Sequence, residues 1–171
     1  MNVEIRRFTA ADIPFKVKWI NDERNNQFLH YDLPLEEGKT LEWFRKVKDR
    51  TDRADYTITC DGEPAGLIGL INIDQRNRKA EYYITLGEER FKGQGAASRA
   101  SRLLLEQAFS TFGLNKVYLY TEVENFPAQK LFEGLGFRKE GHLKEDLIHV
   151  GTKADRFYYG MLADEFKAGD R

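Results

Sequence analysis

A glycine-containing loop between two regular elements is the strongest chemical feature of this sequence. It runs from Arg90 to Ser98 and reads Arg-Phe-Lys-Gly-Gln-Gly-Ala-Ala-Ser. A strand-like run at 80–86 precedes it, and a helix-like run at 98–112 follows it. A loop of this kind presents several backbone N–H groups to one point, beside the positive end of the helix dipole. The loop therefore predicts a binding site for a phosphate or pyrophosphate.

The type of phosphate-binding loop is narrowed by the glycine spacing. The P-loop pattern Gly-x-x-x-x-Gly-Lys-Ser/Thr does not occur in the chain. The dinucleotide pattern Gly-x-Gly-x-x-Gly is met by Gly93 and Gly95 but has Ser98 at its third position, and no series of alternating parallel units surrounds it. Two interpretations stay open. One is a coenzyme A loop whose amides hold a pyrophosphate without a metal, and the other is a turn whose glycines only supply positive φ.

Length, composition and charge limit the class of protein. The 171 residues suit one domain, 1–171, with a full core. A net charge of −1 predicts no global attraction to nucleic acid or to an anionic membrane. The apolar stretches, such as 65–71, are far shorter than the roughly 18 residues of a membrane span, and the first residues lack the apolar core of a signal peptide. The single cysteine, Cys60, excludes an internal disulfide and fits a reducing cytoplasm, where we expect the protein.

Hydrophobic periodicity predicts the elements that position the loop. Strands are expected at 2–8, 56–60, 65–73, 80–86, 116–121, 137–150 and 155–162. Helices are expected at about 9–21, 34–48, 98–112 and 127–134. The order β-α-α-β-β-β-α-β-α-β-β indicates an α/β (α+β) fold rather than a regular βαβ series.

Two motifs in this order carry a resemblance to a known family. The segment 92–97, Lys-Gly-Gln-Gly-Ala-Ala, resembles the acetyl-CoA signature Gln/Arg-x-x-Gly-x-Gly/Ala of the GNAT superfamily of N-acetyltransferases, with lysine at its first position. A second register would begin at Arg90. Further along, 125–137 resembles the family's Asn-x-x-Ala-x-x-Leu-Tyr-x-x-Leu-Gly-Phe. The resemblance covers 5–160 and points to the branch with ribosomal-protein N-terminal, polyamine and nucleotide-sugar amine acetyltransferases.

The resemblance implies a fold and a cosubstrate. The GNAT fold is a mixed, mostly antiparallel sheet of about seven strands, with a V-shaped splay between strands four and five and about four flanking helices. The cosubstrate would be acetyl-CoA, with no metal, and its pantetheine arm would pair with main-chain groups of Ile84, Thr85 and Leu86. Asn125 would reach the pantetheine or the sulfur region. The pyrophosphate would lie against the amides of Lys92, Gly93, Gln94, Gly95, Ala96, Ala97 and Ser98.

Catalysis in this family is the direct attack of an amine on a thioester. An alkyl amine is mostly protonated at neutral pH, and freeing its lone pair costs about 4–5 kcal/mol, so a general base is useful. Relatives often carry a glutamate in the fourth strand, and Glu81 is the candidate base here. Its apolar neighbours in sequence could raise its pKa. The alternative is an exposed strand glutamate that pairs with Lys79 or Arg78.

The general acid departs from the family pattern. The tyrosine that commonly protonates the leaving thiolate is replaced by Phe132. Tyr83, Tyr118 and Tyr120 are expected nearby, but strand tyrosines usually serve packing, and none is assigned as the acid. A thiol pKa of about 8.5 also allows the thiolate to leave unassisted.

The acceptor is expected against the first two helices. Segment 19–44 holds six acidic and two basic residues, which suits a cationic amine, although acidic residues are also routine at helix starts. His30 could line the same mouth, and His142 and His149 lack metal-ligand spacing. Three functions follow: acetylation of a small primary amine such as a polyamine or amino sugar, acetylation of a protein N-terminus, or non-catalytic acyl-CoA binding. Family members often form dimers, so a homodimer is a possible assembly.

Overall fold

A seven-stranded sheet forms the centre of the computed structural model, which describes residues 1–169. The strands are β1 Val3–Arg7, β2 Ala54–Cys60, β3 Glu63–Asp74, β4 Lys79–Leu86, β5 Lys116–Glu122, β6 Arg138–His149 and β7 Thr152–Leu162. Across the sheet they follow the order β1-β2-β3-β4-β5-β7-β6. All neighbouring pairs are antiparallel except β4 with β5. The predicted mixed, mostly antiparallel sheet is confirmed.

Six helices flank this sheet within the described residues. They are α1 Ile13–Asn21, α2 Glu23–Asn26, α3 Glu37–Val47, α4 Ala96–Phe109, α5 Phe126–Leu135 and α6 Ala163–Gly169. The four predicted helices are present, and α2 and α6 are additions to them. In residues 1–169 no helix has the length and apolar character needed to cross a membrane.

The start of α1 is fixed by a buried carboxylate. Asp12 is only 1% exposed. It accepts a hydrogen bond of 2.9 Å from the backbone N–H of Thr9 and two of 2.8 Å from the guanidinium of Arg6. Hydrogen bonds to a charged group are about twice as strong as neutral ones. This bidentate pair therefore ties β1 to the beginning of α1.

Apolar residues pack on both faces of the sheet. On one face, α4 buries Ala100, Leu104 and Leu105 at helical spacing against the sheet. On the other face, Trp19 and Ile20 of α1 are at most 1% exposed and pack in a second cluster. The helices therefore cover both faces of the central strands, as the amphipathic patterns predict.

The parallel pair opens soon after it begins. Only 79–81 of β4 pairs with 116–118 of β5, with Glu81 opposite Tyr118. Beyond that point the two strands no longer pair with each other, and 82–86 and 119–122 continue on either side of a gap. This is the V-shaped splay expected between strands four and five. It leaves facing backbone groups without ladder partners at the place where a ligand is expected.

Candidate active site

The gap between β4 and β5 opens into a cleft of about 420 Å³. Strand β4 contributes 81–86 to its wall, and β5 contributes 119–122. The remaining wall comes from α2 with the loop after it, from Lys92 in the glycine loop, from Asn125 and α5, and from Arg156 of β7. Since backbone N–H and C=O groups need partners when they are buried, the unpaired strand edges suit an extended ligand that carries amides of its own.

Glu81 lies where the cleft begins. Its side chain is half-buried, and the amide of Asn72 on β3 donates a hydrogen bond of 3.3 Å to its carboxylate. Burial raises the pKa of Glu81 above its usual value, while the Asn72 hydrogen bond and the charge of Arg156 oppose that rise. A carboxylate with a raised pKa is a better proton acceptor. Neither Lys79 nor Arg78 forms an ion pair with it among the described residues.

The three predicted pantetheine residues lie on the cleft wall. Ile84, Thr85 and Leu86 follow Glu81 along β4, beyond the last residue that pairs with β5. Strand β3 approaches closely behind them, and a side chain at Gly66 would collide with the backbone of Thr85. Glycine at this position therefore lets β3 support the wall while the opposite backbone edge of β4 stays free.

The glycine loop has the geometry of an anion cradle. Gly93 and Gly95 have φ of 74° and 80°, and Gly95 is the N-cap of α4. The helix begins at Ala96, two residues before the predicted Ser98, and ends at Phe109 instead of Phe112. No side chain caps its first amides, which have no intrahelical partners. The backbone N–H groups of this segment, from Gln94 to Ala97, are therefore free to bind an oxyanion.

The side chain of Lys92 connects the loop to α2. Its ammonium donates hydrogen bonds of 2.6 Å to the amide oxygen of Asn25 and 2.9 Å to Glu89. Asn25 in turn donates to the carbonyls of Trp19 and Gly87, at 3.1 and 3.0 Å. Sequence reasoning missed both α2 and Asn25. The available signal was Asp22, which caps α2 by accepting the backbone N–H of Arg24.

Asn125 lies at the opposite wall, where β5 ends and α5 begins. It is the N-cap of α5, and its side-chain oxygen accepts the backbone N–H of Ala128 at 3.3 Å. It also lines the cleft. The amide group of this side chain keeps its two N–H donors for a ligand, since no hydrogen bond from them is found within residues 1–169.

Position 132 has no hydroxyl group to offer. Phe132 lines the cleft and is 6% exposed, and its ring packs against those of Tyr82 and Phe137. The nearby tyrosines differ in their surroundings. Tyr83 donates its hydroxyl to Asp55 at 2.5 Å. The remaining candidates, Tyr118 and Tyr120, belong to one aromatic cluster, and of these two only Tyr120 lines the cleft.

The acidic segment does not form the rim of the cleft. None of its six carboxylates, Asp22, Glu23, Asp32, Glu36, Glu37 and Glu42, lines the cavity, whereas Arg24 does. The expected acidic lip is therefore wrong in this place. Two of these carboxylates pair within their own segment, Asp22 with Arg24 at 2.7 Å and Glu36 with Lys39 at 3.5 Å.

The histidines take different positions. His30 does line the cleft. His142 lies near Asp155 instead, with an N–O distance of 2.7 Å. Within residues 1–169, no group of three or more His, Cys, Asp or Glu residues is arranged to hold a metal ion.

Known proteins resemble this chain in sequence and fold. A family model described as an acetyltransferase (GNAT) domain matches residues 2–138. Spermidine N(1)-acetyltransferase of Escherichia coli is 35% identical over 107 residues, which are 63% of this chain and only 56% of that relative. The putative ribosomal N-acetyltransferase YdaF of Bacillus subtilis is 33% identical over 126 residues, 74% of this chain and 68% of the relative. The crystal structure of spermidine N-acetyltransferase from Vibrio cholerae, in complex with CoA and spermine, has a TM-score of 0.88 at 25% identity and covers 96% of this chain and 98% of that one.

The matched region carries the elements that build the cleft. It begins before β1 and extends through α5, so that it includes β4, β5 and the glycine loop between β4 and α4. The family match covers most of the chain and includes 92–97 and 125–137, the two motifs on which the resemblance in sequence rested. The chain belongs to the GNAT acetyltransferase family.

Proposed function

We propose that this protein transfers the acetyl group of acetyl-CoA to a primary amine of a small molecule, with a polyamine as the favoured acceptor. The observation that carries the proposal is the position of Glu81. Its half-buried carboxylate lies at the point where β4 and β5 part, and the wall of the same cleft leads along β4 toward the glycine loop. The names of the relatives from Escherichia coli and Vibrio cholerae support the choice of a polyamine.

Each part of acetyl-CoA has a matching set of groups in this proposal. The free edge of β4 at Ile84, Thr85 and Leu86 would bind the pantetheine amides, and Asn125 would donate to it from the other wall. The amides from Lys92 to Ser98 would bind the pyrophosphate. A dipole and several N–H groups at one helix start suit this anion without a metal.

The proposed reaction is a direct transfer. Glu81 accepts a proton from the ammonium form of the acceptor, directly or through one water, and the neutral nitrogen attacks the carbonyl carbon of the thioester. The new C–N bond replaces the C–S bond, and the electron pair of that bond leaves on sulfur. The attacking nitrogen loses its second proton to solvent as the amide forms, and the thiolate takes up a proton from solvent or from a nearby donor, since Phe132 cannot supply one. The raised pKa of Glu81 lies closer to that of the ammonium group, which lowers the free energy of proton transfer to the carboxylate by roughly 1.4 kcal/mol per pKa unit.

The deciding experiment measures thiol release from acetyl-CoA with a panel of polyamines, amino sugars and peptides. Glu81→Gln should reduce kcat by about 10²-fold or more and leave the Kd for coenzyme A unchanged. Glu106→Gln, an exposed substitution of the same kind on α4, should change neither quantity. Full turnover in Glu81→Gln would exclude the base role, and wild-type protein that binds coenzyme A without turning over any amine would favour a non-catalytic module.

A protein N-terminus is the second candidate acceptor. The similarity to the putative ribosomal N-acetyltransferase of Bacillus subtilis favours it. The same panel separates the two candidates, because a peptide acceptor should be acetylated only at its terminal α-amine.

We further propose a cytoplasmic location, which suits the free and buried Cys60. We also propose a homodimer, which light scattering of the purified protein would test.

A further inference from the structure

Glu122 is a second carboxylate on the wall of the cleft. It is the last residue of β5 and shares a strand face with Tyr118 and Tyr120, because side chains alternate along a strand. It lines the cavity that Glu81 also lines. Its Oε2 atom is buried and accepts no hydrogen bond from any group in the described part of the chain. An unsatisfied buried carboxylate oxygen costs free energy. A ligand that donates a hydrogen bond to this atom would remove that cost.

The cation nearest to Glu122 in the sheet is committed elsewhere. Arg156 of β7 is its direct register partner. The guanidinium of Arg156, however, binds the carboxylate of Asp146, with N–O distances of 2.9 and 2.7 Å. It also lies over the ring of Tyr120, 4.5 Å from the ring centre. Glu122 is therefore left without a permanent ion-pair partner on its own sheet.

A histidine side chain lies next to the Oε2 atom of Glu122. The Nε2 atom of His30, in the loop after α2, lies 3.2 Å from Oε2 of Glu122. The ring of His149, at the end of β6, packs edge-on against His30 with centroids 5.0 Å apart. Burial lowers the pKa of His30, and the charges of His149 and Arg156 lower it further, against the opposite effect of Glu122. His30 therefore binds a proton less readily than a free histidine, which disfavours the charged form that would neutralise Glu122.

We propose that Glu122 binds a second, non-reacting ammonium group of the acceptor, which takes the place of His30 beside the carboxylate. This inference rests on the proposed function and narrows it to one substrate class. Glu81 lies opposite Tyr118, four residues before Glu122, and four strand residues span about 13 Å. That distance exceeds the separation between the two nitrogens of an extended diamine with a short linker. It suits a triamine, whose terminal nitrogens are separated by two alkyl segments.

The test compares two substitutions, two positions apart in sequence, that each remove one negative charge. Glu122→Gln removes the carboxylate from the cleft, whereas Glu124→Gln removes an exposed one that does not line it. For spermidine we expect Glu122→Gln to raise KM about tenfold while kcat stays within about twofold, since one charge-assisted bond is lost. For a simple alkyl monoamine, kcat/KM should not change. Glu124→Gln should behave as wild type with both amines.

A binding measurement gives the same comparison without turnover. Calorimetric titration of spermidine into the coenzyme A complex should show a Kd about tenfold weaker for Glu122→Gln than for Glu124→Gln. Equal values for the two variants would overturn the proposal, as would an equal loss of activity toward the monoamine. A wild-type protein with no activity toward any amine would instead contradict the proposed function, and the titration would still decide the role of Glu122.

The proposal also makes spermidine binding depend on pH. Protonated His30 would pair with Glu122 and compete with the ammonium, so that the wild-type Kd should weaken as the pH falls and His30 takes up its proton, which its lowered pKa places at a more acidic pH than for a free histidine. His30→Asn should remove most of this loss, because an amide cannot gain the charge. The groups that face His30, namely Glu122, His149 and Arg156, remain in both proteins. An equally steep loss in His30→Asn would contradict the competition.

Discussion

The ring of Phe132 meets the ring of Tyr82 edge-on, with centroids 5.7 Å apart and an interplanar angle of 87°. The hydroxyl of Tyr82 lies 2.6 Å from the hydroxyl of Ser101 on α4. Burial also raises the pKa of Tyr82 well above its usual value. The aromatic pair therefore brings an apolar edge to the cleft where relatives of this family commonly have an acidic hydroxyl.

Phe132→Tyr should raise kcat, because it adds a proton donor to the cleft wall at that position. An increase between about tenfold and 10²-fold is expected, at the lower end of what general acids contribute. Phe137→Tyr is the matched control, since Phe137 packs in the same cluster at 6.1 Å from Phe132 and does not line the cleft. An unchanged kcat in Phe132→Tyr would show that the thiolate leaves without assistance.

Asn72→Gly should move the pH dependence of the reaction. The Asn72 amide stabilises the ionised form of Glu81, and its removal raises the pKa of Glu81 further. The acid limb of the kcat/KM profile should therefore shift to higher pH, while the rate well above that limb stays the same. Glycine is the suitable replacement because Asn72 has a φ of 51°.

The control for this shift is Asn77→Gly, which removes a side chain that bonds Asp74 in the neighbouring turn. It should leave the acid limb in place. A limb that moves to lower pH in Asn72→Gly would contradict the proposed proton acceptor, since the loss of a hydrogen-bond donor cannot favour a carboxylate.

Gly95→Trp should weaken coenzyme A binding about 10-fold or more, because a side chain at φ 80° both strains the loop and covers the first amides of α4. No other atom lies within 4 Å of the position of an added Cβ, so the chain should still fold. Gly62→Trp, at φ 83° in an exposed turn that is also open, controls for the strain. Equal affinities of both variants for coenzyme A would exclude the loop as the pyrophosphate site.

Lys16→Met should stabilise the protein at neutral pH. Lys16 is 8% exposed, and its ammonium lies 3.5 Å from the ring centre of Trp43. Burial lowers its pKa from 10.5 to about 8. The unfolded chain thus binds more protons between pH 8 and 10.5, and the wild-type free energy of unfolding gains from Lys16 as the pH rises through this range.

Urea unfolding of both proteins measures this effect. Below pH 8, Lys16→Met should be more stable by about 1–3 kcal/mol, after the loss of the contact with Trp43 is counted. The advantage should disappear toward pH 10.5. A constant difference in the free energy of unfolding across this range would show that the charge of Lys16 does not destabilise the wild-type protein.

Local patterns in the sequence determined the elements of the fold and predicted a phosphate-binding loop. Period-two and period-3.6 alternation placed all seven strands and the four longer helices, because one face of each element must be buried. The glycines of the loop predicted only a site for a phosphate or pyrophosphate, and acetyl-CoA was implied by the resemblance of 92–97 and 125–137 to the GNAT motifs. The short helices α2 and α6 were missed because four to seven residues carry too little periodicity to be recognised.

Only the tertiary structure decided which charges meet in the cleft. The acidic residues between Trp19 and Phe44 suggested an acidic lip, yet none of them lines the cavity, Asp22 and Glu36 pair within their own segment, and Glu122 lies on the cavity wall instead. Glu122 and His30 are far apart in sequence, and their 3.2 Å contact exists because β5 diverges from β4 while the loop after α2 crosses the opening. The register of the strands and the splay between β4 and β5 depend on packing across the whole sheet, so no local sequence pattern predicts them.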